Sequence, residues 1–314
     1  MEKTLDQELE NAFLSLDEKA VKSLLAAGAD KNGRIRNKML IRSMSEPPHL
    51  HNILPTDSDQ EKKRTKKWNQ EELKEAKKNL AVIKLLLANG ANPNWVDPNP
   101  SWYNTCLMES LELGNCKQAQ LLVDNGAKVN MRYYDDTPFT HFAHNITSGG
   151  LWAMKFLYKN GANINARNTD DGQTALIKAI ASGFDEDIMD ADLFADTDWL
   201  IEPVEFLVSK GAKVNLRDKE GKTAISHSMT HNWEKYYDWD DDEALEFKDN
   251  FDMAFYYEIP KILLSNGARI SIADKEGKNT LDIAKGSEEK MDLLARAIDD
   301  ANKFLRKKII VMSR

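Results

Sequence analysis

The sequence predicts an all-helical solenoid of about seven helix–turn–helix units, and three observations lead to this fold class. A string of the form Leu-Leu-x-x-Gly-Ala-x-x-Asn returns six times along the 314 residues. Each copy carries a glycine where a helix end needs a left-handed backbone, which glycine adopts at the lowest cost. Between copies, short extended and turn-forming stretches precede the next apolar helix. A recurring period of this kind indicates repeated units that bury their faces on one another.

The stretch 204–224 shows the pattern most clearly. An apolar helix end is followed by Gly211, where the helix should stop. Asp218 and Gly221 then supply turn residues, and the hydroxyl of Thr223 is placed to cap the next helix. The other five copies of the string are centred on Gly28, Gly90, Gly126, Gly161 and Gly267.

These residues resemble the ankyrin repeat family, whose unit is a hairpin-like finger plus two antiparallel helices in about 33 residues. The family's first-helix motif appears at 137–139, 172–179, 221–225 and 277–284. The resemblance covers nearly the whole chain and implies a single domain over residues 1–314. Its units are expected at 5–32, 33–94, 95–130, 131–165, 166–215, 216–271 and 272–310.

Units two, five and six contain long insertions. In unit two the surplus lies mainly in 45–69 and includes the basic run 62–67 followed by Trp68. This run is either a solvated loop or an anion or nucleic-acid contact. Units five and six each insert an acidic segment, 184–198 and 233–243, between their first and second helices. Because adjacent units insert at the same place, the two segments should emerge side by side as one acidic surface.

Composition limits the possible partners. A net charge of -8 and a pI near 5.4 argue against direct nucleic-acid binding and favour a protein partner with a basic surface. The chain has neither an apolar run of membrane-spanning length nor an N-terminal signal sequence. We therefore expect a monomer that acts in the cytoplasm, or in another cell's cytosol if it is a delivered effector. The two cysteines, Cys106 and Cys116, are expected as small core residues without a disulfide.

The sequence offers little support for an enzyme. His227 and His231 lie four residues apart with Glu234 one turn further, but the metalloprotease motif needs a glutamate directly after the first histidine. We expect His227 to occupy a variable surface position of the first helix of its unit. No phosphate-binding glycine loop or nucleophile elbow is present. The sequence therefore predicts no catalytic residue, no metal site and no cofactor.

The resemblance implies a non-catalytic scaffold or adaptor that binds a partner protein through its finger tips and its concave face. The aromatic tip residues of unit three either fold back onto the helices or contact the partner. Transferred to this sequence, the candidate tip residues are Trp95, Trp102, Tyr103, Arg132, Tyr133, Tyr134, Arg167, Arg217, Lys219 and Lys275.

An alternative function is that of an acidic mimic or inhibitor that engages a basic surface, such as that of a nucleic-acid-binding protein. Clustered carboxylates would speed association and make it sensitive to salt. The acidic insertions could also serve only solubility. The candidate contact residues for this function are Tyr236, Tyr237, Asp238, Trp239, Asp240, Asp241 and Asp242.

Overall fold

The computed structural model describes residues 4–30, 33–45, 70–96, 105–144, 150–181, 197–230 and 249–312. Within these ranges the chain is mostly helical, and the extended pairing consists of isolated bridges such as Arg167–Thr174 and Arg217–Thr223. This confirms the predicted all-helical class with hairpin-like fingers. The chain divides into two compact units, Met1–Tyr133 and Tyr134–Arg314, which are described separately below as the N-terminal and C-terminal units.

The N-terminal unit contains two layers of helices. The first helices of successive repeats, α1, α3 and α5, pack in series, and the second helices α2, α4 and α6 form the other layer. Leu9, Leu40, Leu86, Leu107 and Leu122 are almost completely buried between them. The helices are α1 Leu5–Leu14, α2 Glu18–Ala26, α3 Arg34–Ser45, α4 Gln70–Ala88, α5 Cys106–Glu112 and α6 Cys116–Asp124.

The C-terminal unit repeats this arrangement. Its helices are α7 Pro138–His144, α8 Leu151–Lys159, α9 Ala175–Ala181, α10 Asp198–Ser209, α11 Ala224–Thr230, a π-helix Met253–Glu258, α12 Ile259–Ser265, α13 Thr280–Ala284 and α14 Glu288–Met312. The first helices α7, α9, α11 and α13 pack in series, while α10, α12 and α14 pack on one another in the second layer.

Every second helix except α14 ends in the glycine turn that the sequence predicts. The φ angle of Gly211 is 90°, and the amide of Ala212 donates to the carbonyl of Leu207 at 3.0 Å. This bond satisfies a carbonyl that the end of the helix leaves without a partner. The same bond joins Ala91 to Leu86, Ala127 to Leu122, Ala162 to Leu157 and Ala268 to Leu263.

Threonine hydroxyls cap the first helices. Helix α11 begins directly after Thr223, whose Oγ1 accepts a hydrogen bond from the amide of Ser226 at 3.4 Å, which confirms the predicted cap. The equivalent bonds run from Met108 to Thr105, from Thr140 to Thr137 and from Ile177 to Thr174. Helix α13 is capped instead by the side chain of Asn279, and α3 begins directly after Gly33. A threonine before most of the first helices and a glycine after every second helix except α14 thus mark where the repeats begin and end.

The glycine turn gives a direct stability prediction. We expect Gly211→Ala to lower the free energy of unfolding by about 1 kcal/mol, because alanine is strained at positive φ. A Cβ at this position would meet no other atom within 4 Å, so the cost would come from the backbone alone. Gly286→Ala is the matched control, since Gly286 is outside the left-handed region. Urea denaturation of both variants tests this, and equal stability of the two would contradict it.

Candidate protein-binding surface

The fingers of the C-terminal unit are joined tip to tip by backbone hydrogen bonds. The amide of Lys219 donates to the carbonyl of Asp171 at 2.8 Å, which links the second finger of this unit to the third. The amide of Lys275 donates to the carbonyl of Glu220 at 2.9 Å and links the third finger to the fourth. A bond of 2.9 Å from Thr169 to Asp135 makes the remaining connection. We call these four connected fingers, 134–136, 167–173, 217–222 and 273–278, the finger row.

A second set of bridges comes from the asparagine that ends the repeated string. The side-chain oxygen of Asn215 accepts from the amide of Arg269 at 2.9 Å, and its amide group donates to the carbonyl of Gly267 at 2.8 Å. Asn215 therefore joins its own repeat to the glycine turn of the next one. Equivalent bonds run from Lys213 to Asn165 in this unit, and from Lys128 to Asn94 and from Asn94 to Gly126 in the N-terminal unit.

Two of the predicted tip residues also hold the finger row together. The guanidinium of Arg217 donates to the carbonyl of Gly221 at 2.9 Å within its own finger and to the carbonyl of Ala273 at 2.9 Å in the next. Arg167 likewise donates to the carbonyls of Gly172 and Arg217. Both guanidinium groups thus have internal structural roles, and a partner that contacts them would meet groups already held in place.

The predicted tip residues differ in exposure. Tyr134 is 65% exposed and has a φ of 49°, a left-handed conformation that is rare for a residue with a side chain. Lys219, Lys275 and Arg132 are also exposed, whereas Tyr133, Trp95 and Arg167 are half-buried. The remaining candidates lie outside the described residues: Trp102, Tyr103, Tyr236, Tyr237, Asp238, Trp239, Asp240, Asp241 and Asp242.

The last two fingers share the five-residue sequence Asp-Lys-Glu-Gly-Lys, at 218–222 and 274–278. In both, the aspartate side chain accepts backbone N–H bonds that close the turn: Asp218 from Lys222 at 2.8 Å, and Asp274 from Lys278 at 2.9 Å. Beside these fingers lies a cavity of about 490 Å³. Its walls include Lys222, Lys278, Asp282, Met229, Tyr256 and Lys290.

The structure corrects the expectation for His227. Its side chain is buried rather than on the surface, and its Nε2 lies 2.6 Å from a carboxylate oxygen of Asp218. Burial acts to raise the pKa of Asp218, but the hydrogen bonds from His227 and from the amide of Lys222 outweigh it, so this pKa is lowered. His227 therefore connects helix α11 to the finger of the same repeat. Periodicity did not reveal this role, because the partner lies nine residues away in a turn.

A lysine takes the equivalent position in the preceding repeat. Lys178, four residues after its capping threonine as His227 is, lies 3.1 Å from the carboxylate of Asp136. Asn168 donates to the same carboxylate at 2.8 Å. Burial alone would raise the pKa of Asp136, but the bond from Asn168 and the positive charge of Lys178 lower it. Both carboxylates thus connect helices to fingers, and both are held in their charged form.

The acidic insertions leave and re-enter the C-terminal unit at neighbouring places. Helices α9 and α11, which precede the segments 182–196 and 231–248, pack against each other. After the segments, Trp199 and Phe251 meet with ring centroids 6.3 Å apart. The segments themselves lie outside the described residues. Their sequences contain 13 acidic and 2 basic side chains, a charge of -11, so the rest of the chain carries +3 of the total of -8.

The described residues contain no group of three or more histidine, cysteine, aspartate or glutamate side chains that could hold a metal ion. Among the helices in these ranges, none has the length and apolar character needed to cross a membrane. Cys106 is buried, as predicted for a core residue, and burial raises the pKa of its thiol to about 12. A thiol that stays protonated at neutral pH is a poor nucleophile. Cys116 is half-buried, and neither cysteine forms a disulfide.

Stacked helix pairs joined by connected fingers define a repeat protein, and comparison with known sequences identifies the repeat. Sequence models of ankyrin repeats match residues 74–168 and 146–191. The chain is also 28% identical over 244 residues to an ankyrin repeat protein of Acanthamoeba polyphaga mimivirus. That match covers 76% of this chain and 46% of the relative, so the chain spans about half of the relative's length. Residues 74–191 of the chain therefore carry ankyrin repeats.

Solved ankyrin structures have the same fold. An ankyrin repeat domain from Acinetobacter baumannii AYE gives a TM-score of 0.50 at 24% identity, covering 72% of this chain and 95% of that one. The ankyrin repeat domain of Bcl-3, a member of the IkappaB family, gives 0.53 at 18% identity and covers 92% and 98%. The human ASB11 domain gives 0.50 at 18% identity and covers 92% and 96%. Ankyrin repeats generally mediate protein–protein interaction, and proteins built from them are typically non-catalytic.

The Asp218–His227 contact gives a pH prediction. Because the pKa of Asp218 is lower in the folded state than its unfolded value of about 3.9, its carboxylate stabilises the fold above that pH. The contribution is lost as the pH falls through the folded-state pKa. We expect Asp218→Asn to cost about 1–3 kcal/mol at pH 7 and clearly less near pH 2.5.

Urea denaturation at both pH values measures this difference. Asp170→Asn, at an exposed position of the neighbouring finger, is the control and should change stability little. A cost of Asp218→Asn that is the same at both pH values would contradict the proposed role of the carboxylate.

Proposed function

We propose that this protein is a non-catalytic scaffold that binds a partner protein through its finger tips and concave face. The observation that carries the proposal is the finger row, in which each tip is tied to the next by a backbone hydrogen bond. Binding to a surface that is already ordered loses less conformational freedom than binding to separate mobile loops. The row therefore suits recognition of a folded partner.

Tyr134 is the best candidate for an energetic anchor within the finger row. Tyrosine is enriched among residues that dominate binding energy, because it buries a large rigid ring and keeps a polar hydroxyl. At 65% exposure, this ring is the most exposed of the large apolar side chains in the described part of the chain. Its left-handed backbone is a local strain, and such strain is often found at functional positions. Lys219 and Lys275 would add charged contacts on the following fingers.

A second candidate function is favoured by the neighbouring positions at which the two acidic segments attach. If the segments stay close beyond their attachment points, their charge of -11 would form one anionic surface for a basic partner. The proposed contacts are Tyr236, Tyr237, Asp238, Trp239, Asp240, Asp241 and Asp242. In either function we propose one domain that acts as a monomer, in the cytoplasm or in the cytosol of another cell.

A capture experiment from cell lysate at low and high salt separates the two functions. One variant removes finger contacts through Tyr134→Ala, Lys219→Ala and Lys275→Ala. A second replaces Asp238, Asp240, Asp241 and Asp242 by asparagine. If the finger tips bind, the first variant should lose about 2 kcal/mol or more, roughly a 30-fold loss of affinity, and the second should bind normally.

The matched control carries Tyr158→Ala, Lys155→Ala and Lys159→Ala, which remove one tyrosine and two exposed lysines from helix α8. This control should capture the partner as the native chain does. Loss of capture only in the aspartate variant, together with release by salt, would favour the acidic surface instead. Capture that survives in all variants would contradict both proposals.

A further inference from the structure

A series of buried side-chain hydrogen bonds fixes the rotation of helix α4 about its own axis. The side chain of Asn79 is 3% exposed and donates to the carbonyl of Ser43 on α3 at 3.3 Å. Its oxygen accepts from the side-chain amide of Gln118 on α6, also at 3.3 Å. Buried hydrogen-bonding groups strongly penalise any arrangement that leaves them unpaired. Helix α4 is therefore held in one orientation between α3 and α6.

This orientation turns a lysine-bearing face of α4 away from the core. Val82, Ile83 and Leu86 are fully buried on the same side as Asn79. With 3.6 residues per turn, the opposite side carries Lys77, Ala81, Lys84 and Ala88. Both lysines and Ala88 are exposed, and Ala81 is half-buried. The sequence of α4 has no aspartate or glutamate after Glu75.

Two features of this face indicate which kind of partner it can bind. Ala81, Leu85 and Ala88 follow the four-then-three spacing that places residues along one seam of a helix pair. Lys77 and Lys84 stand seven residues apart beside that seam, and Lys78, seven residues before Leu85, continues the seam towards the start of the helix. Helix α4 thus presents small and aliphatic side chains flanked by positive charges, as in helix-to-helix docking.

The helices on either side of α4 extend the positive surface. Helices α2 and α6 both pack against α4. They carry the exposed lysines Lys19, Lys22 and Lys117, against the exposed acidic residues Glu18 and Asp124. By sequence, helices α2, α4 and α6 together carry seven lysines and five acidic residues, so this layer has a small excess of positive charge although the chain as a whole carries -8.

We infer that this face of α4 binds an acidic amphipathic helix of another protein. Glutamates seven residues apart on that helix would pair with Lys77 and Lys84, while small apolar residues would pack on the Ala81–Leu85–Ala88 seam. A nucleic acid would make no use of the apolar seam. This part of α4 also lacks the arginines and aromatic rings that read phosphates and bases most effectively. The inference is independent of the finger row and of its proposed function.

The test uses a synthetic helical peptide as a fluorescent probe, with an alanine and leucine seam and glutamates seven residues apart along its flank. Fluorescence anisotropy compares it with a scrambled peptide of equal charge and with a 20-base-pair DNA duplex. The native chain should bind the patterned peptide about tenfold or more tightly than the scrambled one. Lys77→Glu with Lys84→Glu should abolish that preference. These two side chains are exposed, so far-UV circular dichroism should show the variant to be folded.

A charge exchange keeps the test specific. A second peptide with lysine in place of each glutamate should bind the Lys77→Glu, Lys84→Glu variant and not the native chain. Lys155→Glu with Lys159→Glu on α8 is the matched control and should bind the first peptide normally. Any one of four results would overturn the inference. They are equal binding of the patterned and scrambled peptides, tighter binding of the DNA duplex, failure of the charge exchange, and no binding at about 100 µM, which corresponds to a ΔG weaker than about -5.5 kcal/mol.

Discussion

The architecture depends on bridges that run from one repeat to the backbone of the next. A helix pair of this size cannot bury its apolar face alone, so each repeat needs its neighbour. Hydrophobic contact supplies most of that attraction but is not directional. The asparagine bridges, such as the one from Asn215 to Arg269 and Gly267, supply the direction. They fix each glycine turn relative to the preceding repeat and thereby place the fingers in register.

The finger row follows from this register. Once neighbouring turns are fixed, the backbones of adjacent tips come within hydrogen-bonding distance, as at Lys275 and Glu220. Arg167 and Arg217 reinforce the same connections from the side. The contact between His227 and Asp218 joins helix α11 to the finger row. These two titratable side chains therefore have a structural role. The surface we propose for partner binding is thus an extension of the scaffold and not a set of independent loops.

Most of the fold could be predicted from the sequence because its signals are local. A glycine at a helix end and a threonine before a helix act within one turn, so Gly211 and Thr223 could be assigned without a structure. The roles of Asn215, Arg217 and His227 could not, since their partners are brought close only by stacking or by the folded finger. The burial of His227 was equally hard to predict, because its position in the helix pattern indicated a surface residue.

Native-state hydrogen exchange after Asn215→Ala measures the coupling between neighbouring repeats. If the asparagine bridge couples repeats, amides of the last repeat, including Arg269, should exchange about tenfold or more faster, while those of α9 should change little. Asn266→Ala is the control, because Asn266 donates only locally, to the carbonyl of Ile262 at 2.8 Å. Uniformly faster exchange throughout the C-terminal unit, or equal effects of the two substitutions, would contradict the account.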